Sequence, residues 1–81
     1  MMRVENEHIY YSDHITVVSS RMAFMGYWWA RGDRVPWLPV LVHVTAARAS
    51  GVTVVATGDC FEAEVIWRPK GAHAVRLRPV R

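Results

Sequence analysis

The chain has 81 residues, 52% of them hydrophobic, and a formal net charge of +3. This length holds one domain (residues 1–81), whose small core cannot hide so much apolar surface, so some of it is expected at an interface. The single cysteine, Cys60, excludes an intrachain disulfide. The longest apolar run, Val35 to Val44, is broken by Pro36 and Pro39 and falls well short of the roughly twenty residues of a membrane span.

Val is the commonest residue, and its branched Cβ favours pleated strands. Leu is scarce and Gln absent, which points away from a helical chain. The N-terminus, Met1-Met2-Arg3-Val4-Glu5, has no apolar core behind its positive charge and does not read as a signal peptide. Together with the lone thiol, this predicts a cytoplasmic protein without a membrane partner. The charge is uneven: residues 65–81 hold Arg68, Lys70, Arg76, Arg78 and Arg81 and no acid.

In chain order, His8 to Tyr11 reads as a short strand and Ser12-Asp13 as a turn, since small polar side chains bond back to the local backbone. His14 to Val18 follows as a strand. Two readings fit the next segment: a helix over Arg21 to Arg31 with Ser20 as its cap, or a strand from Met22 to Trp29. Gly26 and the aromatic run weigh toward the strand. Arg31-Gly32-Asp33-Arg34 is expected to turn, and the two prolines make Val35 to Pro39 an edge or loop.

Val40 to Ala49 alternates as a strand would, as do Val52 to Thr57, Cys60 to Arg68 and Ala72 to Arg78. Ser50-Gly51, Gly58-Asp59 and Pro69-Lys70-Gly71 are the intervening turns. A three-residue turn with Gly71 left-handed places Glu64 opposite Arg76, Glu62 opposite Arg78 and Ala63 opposite Leu77. The expected inner face is Val42, Val44, Ala46, Val52, Val54, Ala56, Phe61, Ala63, Val65, Trp67, Val75 and Leu77. The predicted fold is therefore all-β: a small antiparallel barrel or two-layer sandwich with a C-terminal four-strand meander from Val40 to Arg78.

The segment Ile15 to Phe24 resembles the early hairpin of short bacterial pleckstrin-homology-like domains, where a strand ends, an Arg follows the turn and an apolar strand returns. That family's usual Thr three positions before the Arg is Val18 here, and its C-terminal helix has no counterpart. No function follows from ten residues.

No motif carries catalysis. Ser12-Asp13-His14 are adjacent and cannot form a relay, and Asp59 beside Cys60 discourages its thiolate. The four histidines, His8, His14, His43 and His73, lack the close spacing of zinc ligands, so no metal or cofactor is expected. Arg31-Gly32-Asp33 reads as a plain turn. The candidate interface is the cluster Tyr27, Trp28, Trp29, Arg31, Arg34 and Trp37. Most of it is expected to pack as core, with the remainder contacting protein or stacking nucleobases. The expected function is a non-catalytic binding module acting through protein contacts or as a homodimer. The alternative is a single-stranded nucleic-acid binder using Trp and Arg, followed by an apolar-ligand carrier.

Overall fold

A computed structural model describes residues 9–69 and 71–80. His8, Lys70 and Arg81 lie outside the described residues. Five strands close into a barrel in the order β1-β2-β3-β5-β4. They are β1 (Ile9–Ser19), β2 (Tyr27–Gly32), β3 (Pro39–His43), β4 (Cys60–Arg68) and β5 (Gly71–Pro79), with a short helix α1 (Val44–Ala49) between β3 and β4. All pairings are antiparallel except β3 with β5, which run parallel. A five-stranded Greek-key barrel with this closure is the arrangement of the OB-fold.

The small barrel is thus present, but the four-strand meander from Val40 to Arg78 is not. The apparent strand Val40 to Ala49 stops at His43, and Val44–Ala49 is helical. Its three alanines favour the helix, whose Ala47 enters the core. Gly51 ends it, with a φ of 84° that a side chain would resist. Ser50 ties the helix to β5: its hydroxyl donates to the Ala46 carbonyl at 3.1 Å and accepts from Leu77 N at 3.0 Å.

Val52 to Thr57 is loop and not strand, because both edges of β4 are already taken by β1 and β5. Gly58-Asp59 is accordingly no hairpin tip. Its backbone bonds instead to Val17, at 2.8 Å in each direction. Val54 is 83% exposed and Ala56 is exposed, whereas Val52 is buried.

In the N-terminal half, β1 runs unbroken through the expected turn, with Ser12 opposite Glu64 and Asp13 opposite Ala63. This acid sits among inward positions of the strand yet is fully served. Its carboxylate accepts from Arg34 N at 3.0 and 3.3 Å and from His14 N at 2.8 Å. A Cβ on Gly32 would fall 2.4 Å from Asp13 Oδ2, so only glycine leaves room for it.

Neither reading of Met22 to Trp29 holds in full. A 3-10 turn covers Ala23–Met25, Gly26 takes a φ of 99°, and β2 begins at Tyr27. Arg31 and Gly32 still belong to β2, so the polar turn starts at Asp33. The likeness to a pleckstrin-homology hairpin ends at this turn, since the barrel has five strands.

The β4–β5 register matches expectation beyond Glu64, with Glu64 opposite Arg76, Ala63 opposite Leu77 and Glu62 opposite Arg78. The extra residue sits elsewhere, however. Arg68 pairs with Gly71, and the register shifts between Glu64 and Val65, leaving Val75 as the bulged residue. Val75 faces out as a result, and Ala72 and Ala74 take the inward positions. Trp67, also expected inside, is 37% exposed, and Val44 and Ala46 are half-buried.

The core comprises Ile15, Val17, Trp28, Ala30, Val40, Val42, Phe61, Val65 and Leu77 with smaller neighbours. The Trp28 ring lies 6.0 Å from that of Phe61. No helix among the described residues is long and apolar enough to cross a membrane.

Candidate functional site

Strand alternation divides the Trp-rich segment. Trp28 and Ala30 point into the barrel, while Tyr27, Trp29 and Arg31 point out. The register then sets their neighbours. Tyr27 lies opposite His43, Trp29 opposite Leu41 and Arg31 opposite Pro39, and Leu41 is in turn beside His73 of β5. The outer wall of β2, β3 and β5 is thus a grid of side chains in rows that cross the strands.

The rings of this grid touch one another. Tyr27 meets Trp29 edge-on with centroids 5.9 Å apart, and Tyr27 meets His43 at 6.5 Å. His43 stacks on His73 at 5.8 Å, their planes only 16° apart. An aromatic ridge therefore runs Trp29, Tyr27, His43, His73 over three strands. The row beside it holds Arg31 and Pro39, and the register continues this row through Gly71 to Arg68. Small residues lie between two guanidinium-bearing ones.

Two loops border the wall. Beyond Tyr27 is the β1–β2 turn with exposed Arg21, Phe24 (82% exposed) and Met25. Beyond Gly71 is the β4–β5 turn at Pro69. The β2–β3 face flanked by these two loops is where OB-folds take oligonucleotides and oligosaccharides. That is a property of the fold class and not by itself of this chain.

Charge separates this wall from the next. Among the described residues, every carboxylate lies off the β2–β3 face: Asp33 and Asp59 are in loops, Asp13 is buried, and Glu62 and Glu64 are on β4. Glu62 binds Arg78 and lies 3.3 Å from His14 Nε2, and Glu64 lies 3.6 Å from Arg76. The Arg78 hydrogen bond, followed by that residue's charge, holds the Glu62 carboxyl below its usual pKa. An open hollow of about 610 Å³ lies over this second wall, and in its lining Glu62 and Glu64 are paired with Arg78 and Arg76.

His73 is half-buried, and that burial lowers its pKa, with His43 and the Arg68 guanidinium acting in the same direction. At neutral pH it is a neutral ring with one donor and one acceptor nitrogen.

Of the six candidate residues, three reach this face: Tyr27, Trp29 and Arg31. Trp28 is core, only 2% exposed. Arg34 is committed elsewhere. Its NH1 donates to the Ser12 carbonyl at 3.0 Å, and its guanidinium lies 5.4 Å from the Tyr11 ring centroid. Burial, and secondarily Asp13, raises the Tyr11 pKa against the opposing charge of Arg34. Trp37 is 80% exposed in the β2–β3 loop, apart from the ring contacts of the ridge. His43, His73 and Arg68 join the face without any signal in sequence spacing, because the parallel β3–β5 pairing brings them together.

A ridge of rings beside a row that ends in two arginines can stack planar groups and hold an anionic backbone. The chain matches no protein-family model and no curated protein.

Proposed function

We propose that the chain is a single-stranded nucleic-acid-binding barrel that takes its ligand across the outer wall of β2, β3 and β5. The observation that carries this reading is the ridge Trp29–Tyr27–His43–His73 beside the Arg31–Arg68 row, with no carboxylate of the described residues on that face. Bases stack on rings whatever their sequence, and arginines hold the phosphates, so the expected recognition is tolerant of sequence. Nothing in this arrangement calls for catalysis or a cofactor. The exposed single thiol of Cys60 suits a reducing compartment such as the cytoplasm.

The test is a fluorescence titration with oligothymidylate of about a dozen nucleotides, within the usual span of OB-fold sites. Trp29 emission is expected to be quenched, and log K to fall with log salt at a slope of about −1.4 to −2, for two to three phosphates engaged. Absence of any salt-sensitive binding at low ionic strength refutes the reading.

A second reading, self-association, draws on a different observation. Phe24 and Met25 project from the β1–β2 turn, and Val18 is exposed just before it. Contact through this turn would make the chain a homo-oligomer or dock it on another protein. Sedimentation at micromolar concentration tests it, and a clean monomer counts against it.

A further inference from the structure

Two imidazoles stacked with their planes only 16° apart are an unusual end to a stacking platform. Tyr or Phe would supply ring surface without a titrating group. His73 instead combines a ring face, stacked on that of His43, with a charge that changes between about pH 5 and pH 8. We infer that ligand binding on this wall is proton-linked through His73, stacked on His43: a phosphate arriving between His73 and Arg68 recruits a proton to the His73 ring, so that affinity rises as pH falls. This rests on the nucleic-acid reading above and specifies how that site is regulated.

The geometry supplies each part. His43 and His73 come from β3 and β5, strands held side by side by the parallel pairing, with centroids 5.8 Å apart. Charged and titratable groups face the pair from every neighbouring strand. Tyr27 of β2 contacts His43, and Arg68 at the end of β4 acts on His73. Tyr10 of β1 lies one strand further on, opposite Ile66, which is itself opposite His73. Among the described residues, Glu64 stands one outward position along β4 from Ile66 and is paired with Arg76. In the free protein, then, burial, His43 and Arg68 oppose a proton on His73, and no carboxylate among the described residues acts to favour one.

A bound phosphate reverses that balance. It offsets Arg68 and offers an acceptor to an imidazolium N–H. The sign follows by linkage. The pKa of His73 is higher in the complex than in the free protein, so binding takes up a proton. The gain in affinity is full below the free-protein pKa and is lost as pH rises through the pKa of the complex. Covering the ring with a base alone would act in the opposite direction, through further desolvation. The sign of the pH dependence therefore reports whether phosphate or base sits at His73.

The experiment repeats the oligothymidylate titration at fixed salt from about pH 8 to about pH 5.5, the range in which histidines titrate. Wild-type affinity is expected to rise roughly three- to tenfold over that span, as one linked proton allows. The His73→Phe variant keeps a ring and should bind with a flat profile. His73→Gln serves if the larger ring disturbs folding. His14→Gln, on the opposite wall beside Glu62, should keep the wild-type dependence. Proton NMR of the His73 ring should show its pKa moving up when oligonucleotide is added. A flat wild-type profile, tighter binding at high pH, or an unchanged His73 titration on binding overturns the inference while leaving the nucleic-acid reading standing. No binding at any pH removes both.

Discussion

Replacing Gly32 with Ala tests the clasp that holds the end of β2 against β1. The Gly32 φ is not in the left-handed region, so the substitution adds no backbone strain, and its whole cost is steric. The new Cβ would sit 2.4 Å from Asp13 Oδ2 and 3.5 Å from its Cγ. Relief requires either a shift of the strand or withdrawal of the Asp13 carboxylate from Arg34 N and His14 N. Overpacking of this kind costs about 1–3 kcal/mol. Loss of a hydrogen bond to a charged group costs about 1.5–3 kcal/mol. The two are alternatives more than addends, and Ala returns about 0.4–1 kcal/mol by restricting the unfolded chain. A net loss of about 1.5 kcal/mol is expected, or about 6–12 °C in Tm for a domain of this size. Urea unfolding followed by circular dichroism measures it. In an Asp13→Ala background the clashing oxygen is gone, so the same Gly32→Ala change should cost less than about 0.5 kcal/mol. A neutral single variant, or a full cost that persists without Asp13, refutes the clasp.

The neighbouring tryptophans should behave as opposites. Trp28→Ala is expected to cost about 3–5 kcal/mol of stability. Trp29→Ala should leave the fold within about 1 kcal/mol of wild type while weakening oligonucleotide binding by about 1–3 kcal/mol, the worth of one stacked base. Equal unfolding of both variants in urea would contradict their assignment to opposite faces. Among the arginines, Arg31→Gln should flatten the salt dependence of binding by about 0.7 in slope. Arg34→Gln should leave that slope alone and lower Tm, because it loses its bond to the Ser12 carbonyl. The paired change Phe24→Ser with Met25→Ser should not alter Tm, since both are exposed, but should abolish any self-association seen by sedimentation.

The barrel is readable from alternating apolar residues, β4 coincides with the strand expected over Cys60 to Arg68, and half of the expected inner face (Val42, Val52, Phe61, Ala63, Val65 and Leu77) is core. What failed was legibility at the phase changes. Ala72 and Ala74 face in, then Leu77 faces in three positions later, so a phase jump is written into Ala72 to Leu77. A left-handed Gly71 and a bulge at Val75 account equally well for the pairing of Glu62 with Arg78. Only the exposure of Val75 against the burial of Ala72 separates them. Val44 to Ala49 alternates well enough for a strand, but its small residues fit a helix just as well, and barrel closure by β5 decides the matter. Asp13 misled for a different reason. A lone acid between polar neighbours suggests a turn, and the backbone donors that make it tolerable inside come from Arg34, twenty-one residues away.

The same non-local closure explains why the candidate site was half visible. Trp29, Tyr27 and Arg31 lie within five residues and announce themselves by composition. His43 and His73 are thirty residues apart and become neighbours only because β3 and β5 run parallel, a pairing that no local turn specifies. The distribution of charge changes along with it. Read along the chain, the basic character belongs to the C-terminal segment, yet Arg76 and Arg78 spend theirs on Glu64 and Glu62. Among the described residues, Arg68 from that segment and Arg31 from a stretch with no net excess flank the outer wall, on opposite sides of a row floored by Gly71 and Pro39. Folding thus converts a sequence gradient of charge into two walls, one internally neutral and one aromatic and basic. It is the second wall that has something left to bind with.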